Sequence, residues 1–366
     1  MRNLLLSLAI LGALLQVYAE LARQPRPAVE IAFEKPVPRV TFSPDGRRLA
    51  CGALEGVQVF DARTGKAISP VLSEPKQVQD VEFCGNGLLY VHGDYGVVLY
   101  DTSAWQPVFR RIEGTPAAGI DPTGRILLVG ENNVERGRCE SYVIQGYRDG
   151  QPFYRDSGEG VCIDVLRLAP TGDRYLSQWR NRSGRGSAVR GWGLRDFAGR
   201  GVWLGLGAAR FDPTGERIAF WSREDQSLSV RDGRTGQRLV GPIASGGVQP
   251  GQYSPNGRLI LTTGETADGT QGLARVWSAE NLKPVSEVRF GRRLYSQFAT
   301  RDDVVSYTSD GTVFLWDSRS GKARCQPWQA MKSLLDVSVA ADGRIAVGGS
   351  DETAEPRRGV VRIFHP

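Results

Sequence analysis

Few residues in this chain are equipped for chemistry. Only two histidines occur, His92 and His365, too few for a His-rich metal centre. Three aspartates, Asp80, Asp164 and Asp336, stand at the entries of apolar strands. Inward carboxylates at such places could converge on a divalent cation and support hydrolase or lactonase chemistry. No G-x-S-x-G elbow, Walker loop or G-x-G-x-x-G fingerprint is present, so the usual nucleophile and phosphate cradles are missing. The expectation is therefore no enzyme and no cofactor, with a metal-dependent enzyme as the alternative. The five cysteines are Cys51, Cys84, Cys139, Cys162 and Cys325. With no C-x-x-C pair, a zinc ribbon or thioredoxin-type motif is excluded. An odd number leaves at least one thiol without an internal partner. The pairing expected, if one forms, is Cys139 with Cys162; the others read as small buried hydrophobes.

Arginine is the abundant polar side chain. The chain carries 46 basic against 40 acidic residues, a net charge of +6, and only six of the basic residues are lysines. Arginines mostly alternate with acids and form no basic tail, so the excess reads as compositional bias and specific nucleic-acid binding is not expected. One group stands out. Arg136, Arg138, Arg180, Arg182 and Arg185 fall in the long polar segments 131–138 and 180–186, and Arg292, Arg293 and Lys332 approach from connecting segments. With Trp328 nearby, they would form a positive rim, and Arg and Trp are frequent interface anchors. The partner expected there is a protein, acidic peptide or acidic polysaccharide, bound by a monomer. Asp61, Asp101, Asp232 and Asp317 recur at one place in a repeat, which reads as turn capping. His92 reads as a partly buried polar residue.

The elements that must carry these residues are short strands. Gly 45 and Pro 20 signal many tight turns. Six turns share one chemistry: Ser43-Pro44-Asp45-Gly46, Cys84-Gly85-Asn86-Gly87, Asp121-Pro122-Thr123-Gly124, Ala169-Pro170-Thr171-Gly172, Asp212-Pro213-Thr214-Gly215 and Ser254-Pro255-Asn256-Gly257. Two degenerate copies follow, Thr300-Arg301-Asp302-Asp303 and Ala341-Asp342-Gly343. Proline presets φ, the polar residue bonds to the backbone, and glycine takes the positive φ that closes the hairpin. The spacing stays near the roughly 40–45 residues of a four-stranded repeat. A second signal follows each turn, a strand ending in an acid, as in Val59-Phe60-Asp61 and Phe314-Leu315-Trp316-Asp317.

The stretch Ser309-Asp310-Gly311-Thr312-Val313-Phe314-Leu315-Trp316-Asp317 resembles the third-strand signature of bacterial WD-repeat proteins, and Phe42-Ser43-Pro44-Asp45-Gly46 resembles their first hairpin. The resemblance covers about residues 37–366. It implies an all-β fold, a β-propeller with four antiparallel strands per blade, and a protein-interaction role. The family's Gly-His dipeptide is missing, which implies that blades pack through apolar and Trp contacts instead. Eight turns predict eight blades; seven is the alternative, because the seventh turn lacks both Pro and Gly. The last repeat has only three strands. The alternating segment 28–33 is therefore expected to supply the fourth and close the ring.

Residues 1–19 read as a signal peptide: a basic start, an apolar run over 4–15 and small residues before position 20. The expectation is a single domain over 20–366, periplasmic or secreted, with no membrane span after cleavage.

Overall fold

The computed structural model describes residues 25–94, 96–109, 111–113, 117–135, 138–181, 189–245, 249–266, 268–291, 293–300, 302–351 and 358–365. The expected signal peptide, residues 1–19, lies outside them. Among the described residues there is no helix, and hence none that could cross a membrane. The strands form seven antiparallel sheets. The first comprises Arg39–Phe42, Arg48–Ala53 and Gly56–Asp61, with single bridges to Leu72 and Ala67 where a fourth strand would run. The second comprises Asp80–Cys84, Leu88–Gly93 and Gly96–Asp101, edged by Gln106–Pro107 and Ile112–Glu113. Ala117–Ile120, Ile126–Glu135, Arg138–Arg148 and Gln151–Glu159 make the third.

The fourth sheet has seven strands in sequence order, from Cys162–Leu168 to Arg238–Ala244. Its middle strand, Gly201–Phe211, changes partner along its length. Residues up to Leu206 pair with Val189–Asp196, and residues from Gly207 pair with Arg217–Ser222. Glycine makes the change possible. Gly207 has φ +151°, and a Cβ there would sit 1.8 Å from the Trp221 carbonyl oxygen, so only hydrogen fits.

The fifth sheet comprises Gln249–Tyr253, Leu259–Glu265, Gly272–Ser278 and Pro284–Arg289. The sixth comprises Tyr295–Phe298, Asp303–Tyr307, Thr312–Asp317 and Trp328–Gln329. The seventh, Ser333–Val339, Ile345–Asp351 and Arg358–Phe364, is completed by Pro27–Phe33, which runs antiparallel to the last strand with Ile31 opposite Val361. The segment expected to close the structure therefore does so. Ile31 is buried with Val361 and Ile363, and Arg362 binds Glu30 at 2.7 Å.

Second strands are apolar on both faces because neighbouring sheets cover both. Leu49, Ala50 and Cys51 are all buried, as are Leu89, Tyr90 and Val91. Most core clusters join two neighbouring sheets; Val57, Val59 and Leu72 pack with Val81, Leu89 and Val91. The first strand of the last sheet packs on the first strand of the first sheet. The Asp336 carboxylate accepts the Val40 amide at 3.0 Å, and the Ser338 hydroxyl accepts the Phe42 amide at 3.0 Å.

The turns follow the sequence. Gly46, Gly124, Gly172, Gly215 and Gly257 all have positive φ. The seventh turn closes without Pro or Gly, the Ala299 amide bonding to the Asp303 carbonyl at 2.8 Å. Asp61, Asp101, Asp232 and Asp317 each accept backbone amides two and three residues on, so they are turn caps.

Two expectations need correction. Most of 131–138 is not a loop but the end of a long hairpin, with Ile126–Glu135 paired to Arg138–Arg148. Asn132 clamps this extension to the fourth sheet by exchanging hydrogen bonds with the backbone of Ile163 at 2.8 and 2.9 Å. Packing between sheets is also not only apolar. Arg195 of the fourth sheet binds Asp156 of the third at 2.6 Å, and the Tyr175 hydroxyl contacts that carboxylate and bonds to the Tyr154 hydroxyl at 3.0 Å.

Candidate binding surfaces

Three regions bear on function. The first is the face holding the ends of the second strands and the connections between sheets, where the positive rim was expected. Arg136, Arg182, Arg185 and Arg292 lie outside the described residues, and so does the side chain of Arg138. Arg180 is tied to Asp164 at 3.0 Å, with both side chains largely covered. Arg293 and Lys332 are exposed. Trp328 requires a correction. It is 1% exposed and packs near Phe364, with ring centroids 5.8 Å apart. The last two sheets need that volume to fill their interface, so the indole presents nothing to a partner. On this face Cys139 and Cys162 form a disulfide with Cα atoms 5.4 Å apart, joining the long hairpin to the next sheet. Cys51 and Cys84 are buried free thiols, and burial pushes both thiols up.

The second region is the axis. The residue two positions before each first-hairpin turn is fixed by the turn's own hydrogen bonds, such as Ser43 to Arg48 and Asp212 to Arg217. Those residues are Thr41, Glu82, Gly119, Arg167, Arg210, Gln252, Gln297 and Ser338. They occupy one level of the innermost strands. Several reach across to the next innermost strand. Gln252 accepts the Phe298 amide at 2.5 Å, Gln297 donates to the Val337 carbonyl at 2.8 Å, and Ser338 accepts from Phe42.

The acids expected to gather a metal are spread and engaged. Asp164 is held by Arg180, Asp336 accepts the Val40 and Val337 amides, and Asp80 accepts the Val81 amide. No group of three His, Cys, Asp or Glu among the described residues is placed to hold a metal. Burial raises Asp336 to about 6, and burial followed by the negative charge of Asp80 raises Glu82 to about 7. Glu82 keeps an exposed side chain at this level of the innermost strands.

The third region was not anticipated. On the face of the first-hairpin turns, between the third and fourth sheets, lies a cleft of about 1220 Å³. Arg125, Arg148, Arg174, Arg195, Arg200 and Arg234 line it, with Asp121, Asp173, Asp196 and the ring of Phe197. Arg174 is built into the wall. Its side chain is 4% exposed, it binds Asp173 at 2.7 Å, and it donates to the Gly215 carbonyl of the following hairpin at 2.6 Å. Arg344 donates in the same way to Gly46, and Arg48 to Asn86. Arg125 is paired with Asp149 and Arg200 with Asp196, both at the rim. Arg148 is exposed, lies 4.4 Å from the Phe153 ring centroid, and has no carboxylate partner among the described residues. The signal was present in the sequence as arginines within and beside turns. Their convergence depends on which turns become neighbours.

No protein-family model matches the chain, and no curated protein matches it. Solved structures do. The computationally designed Ika8 protein matches with a TM-score of 0.67 at 15% identity, over 93% of this chain and 100% of that one. The Dos1 propeller matches with a TM-score of 0.62 at 12% identity, over 92% of this chain and 95% of that one. The fold is a β-propeller. At these identities the likeness extends to the propeller architecture alone. Its sheets make up the blades, and the innermost strands surround the axis.

Proposed function

We propose that this protein is a non-catalytic, extracytoplasmic propeller scaffold that binds an acidic segment of a partner protein in the arginine-lined cleft. The cleft carries the reading. It sits on rigid hairpins, is large enough for an extended peptide, and combines six arginines with an aromatic wall. Arginine forks match carboxylates in geometry and charge. Most of these arginines already have acidic partners, so affinity rests on Arg148 and on exchangeable rim pairs such as Arg200 with Asp196.

The finer architecture belongs to the same reading: a WD-repeat-like ring of eight blades, with the seven-stranded sheet counted as two. The partner change at Gly207 supports that division. So do the eight apolar clusters among the described residues, each shared by consecutive units, including one that joins the last to the first. An extracytoplasmic location is supported by the leader-like apolar run at 4–15 and by the Cys139–Cys162 bridge, since such bridges persist in oxidising compartments.

The test is titration of a fluorescein-labelled oligoglutamate peptide into the purified protein. Saturable, salt-sensitive binding is expected, weakened about tenfold or more by Arg148→Glu with Arg200→Glu. Equal binding by that variant would remove the cleft from the reading.

A further inference from the structure

We propose that the axis of the propeller holds an oxyanion, clasped by Arg167 and Arg210. The two arginines occupy equivalent positions on successive innermost strands, each two residues before its hairpin turn. At this level, Gln252, Gln297 and Ser338 each spend their polar atoms on the backbone of the following blade. Arg167 and Arg210 make no such bridge. Among the described residues neither forms a salt bridge. Arg210 donates only to the carbonyl of its own neighbour, Ala209, at 3.0 Å, and the buried Nε of Arg167 has no acceptor. The face of Arg167 lies 5.9 Å from the Trp192 ring centroid.

Both arginines are half-buried, at equivalent positions of successive innermost strands. Burial lowers both below the ordinary arginine value, Arg210 to about 9, and the adjacent charge of Arg167 contributes to that. Glu82 and Asp80 act on Arg167 from across the axis, while Arg210 faces only a like charge. Glycine at the corresponding position of the third sheet, Gly119, leaves that part of the ring without a side chain between Glu82 and Arg167. The buried Nε of Arg167 is costly to leave without an acceptor, and an anion that joins the two arginines offsets that cost. An oxyanion with two or more oxygens could accept from both forks at once. The chemistry suits inorganic phosphate or sulfate, or the carboxylate of a small organic acid. It is distinct from the cleft, which opens on the hairpin-turn face and is lined by other arginines.

Isothermal titration of the intact protein with inorganic phosphate, sulfate and acetate tests the proposal, beside Arg210→Gln and Arg210→Lys variants. The expected result is saturable binding of at least one probe, lost by tenfold or more in Arg210→Gln and partly restored in Arg210→Lys. Phosphate or sulfate binding identifies an inorganic-type ligand, and acetate binding alone identifies a carboxylate; either supports the site. Absence of saturable binding by the wild-type protein, or undiminished binding by a folded Arg210→Gln variant, overturns it. Far-UV circular dichroism and the oligoglutamate titration serve as controls. Both should be unchanged in Arg210→Gln, so failure at the axis and failure at the cleft are separable.

Discussion

Arginine performs three kinds of work in this molecule, and position decides which. Directly after a hairpin turn, Arg48, Arg174 and Arg344 fasten one blade to the turn of the next. Beside the cleft, Arg148 and Arg200 remain exposed. At the axis, Arg167 and Arg210 are half-buried and form no salt bridge among the described residues. Glu82, at the same level, has a measurable consequence. Its carboxyl is pushed up from 4.5 to about 7, mainly by burial, then by Asp80; Arg167 acts in the opposite sense and Asp121 adds slightly. Between those values the folded protein holds the proton and the unfolded chain does not. Stability contributed by this group therefore falls as pH rises through that window. Glu82→Gln should raise the melting temperature by about 2 °C at pH 8 and leave it unchanged near pH 4. An equal shift at both pH values would assign the effect to packing instead.

At the scale of elements, the closing strand bears the clearest prediction. Pro27–Phe33 covers one edge of the last blade and buries Ile31 against the first and last sheets. Deleting residues 28–33 should lower the melting temperature by about 10 °C or more, since several buried contacts and a full ladder are lost together. An unchanged melting curve would contradict the closure. This strand was readable because alternation is local and because the last repeat visibly lacked a partner. The turns and the capping aspartates were readable for the same reason: their chemistry is complete within four residues. The extension 131–135 was not. Its polar residues resemble a loop, and what makes it a strand is its pairing with the residues after 138 and the clamp from Asn132 to Ile163. Trp328 was misplaced because a two-residue edge strand gives no period from which to assign a face. The cleft and the axial arginine pair both arise between blades. A single sequence exposes such juxtapositions only when the repeats are laid over one another turn by turn.

The whole molecule is held by interfaces rather than by one central core. Each blade shares an apolar cluster with its neighbours, and the cross-blade polar contacts differ from joint to joint. Between the third and fourth sheets the Asp156–Arg195 pair and the tyrosines work alongside the Cys139–Cys162 bridge. Among the described residues, the acids expected to gather a metal are spread and engaged. Elemental analysis of the purified protein should accordingly find no stoichiometric calcium or zinc. One equivalent of either would return the metal-dependent alternative to the front.

The pairing of residues 27–33 with 358–364 also sets an order of events during biosynthesis. The strand 27–33 has its hydrogen-bonding partner more than three hundred residues later in the chain. Until then both edges of the growing arc are unpaired and open to other chains. Blades can form one after another as they emerge, but this seam can be sewn only once residues 358–364 have been made.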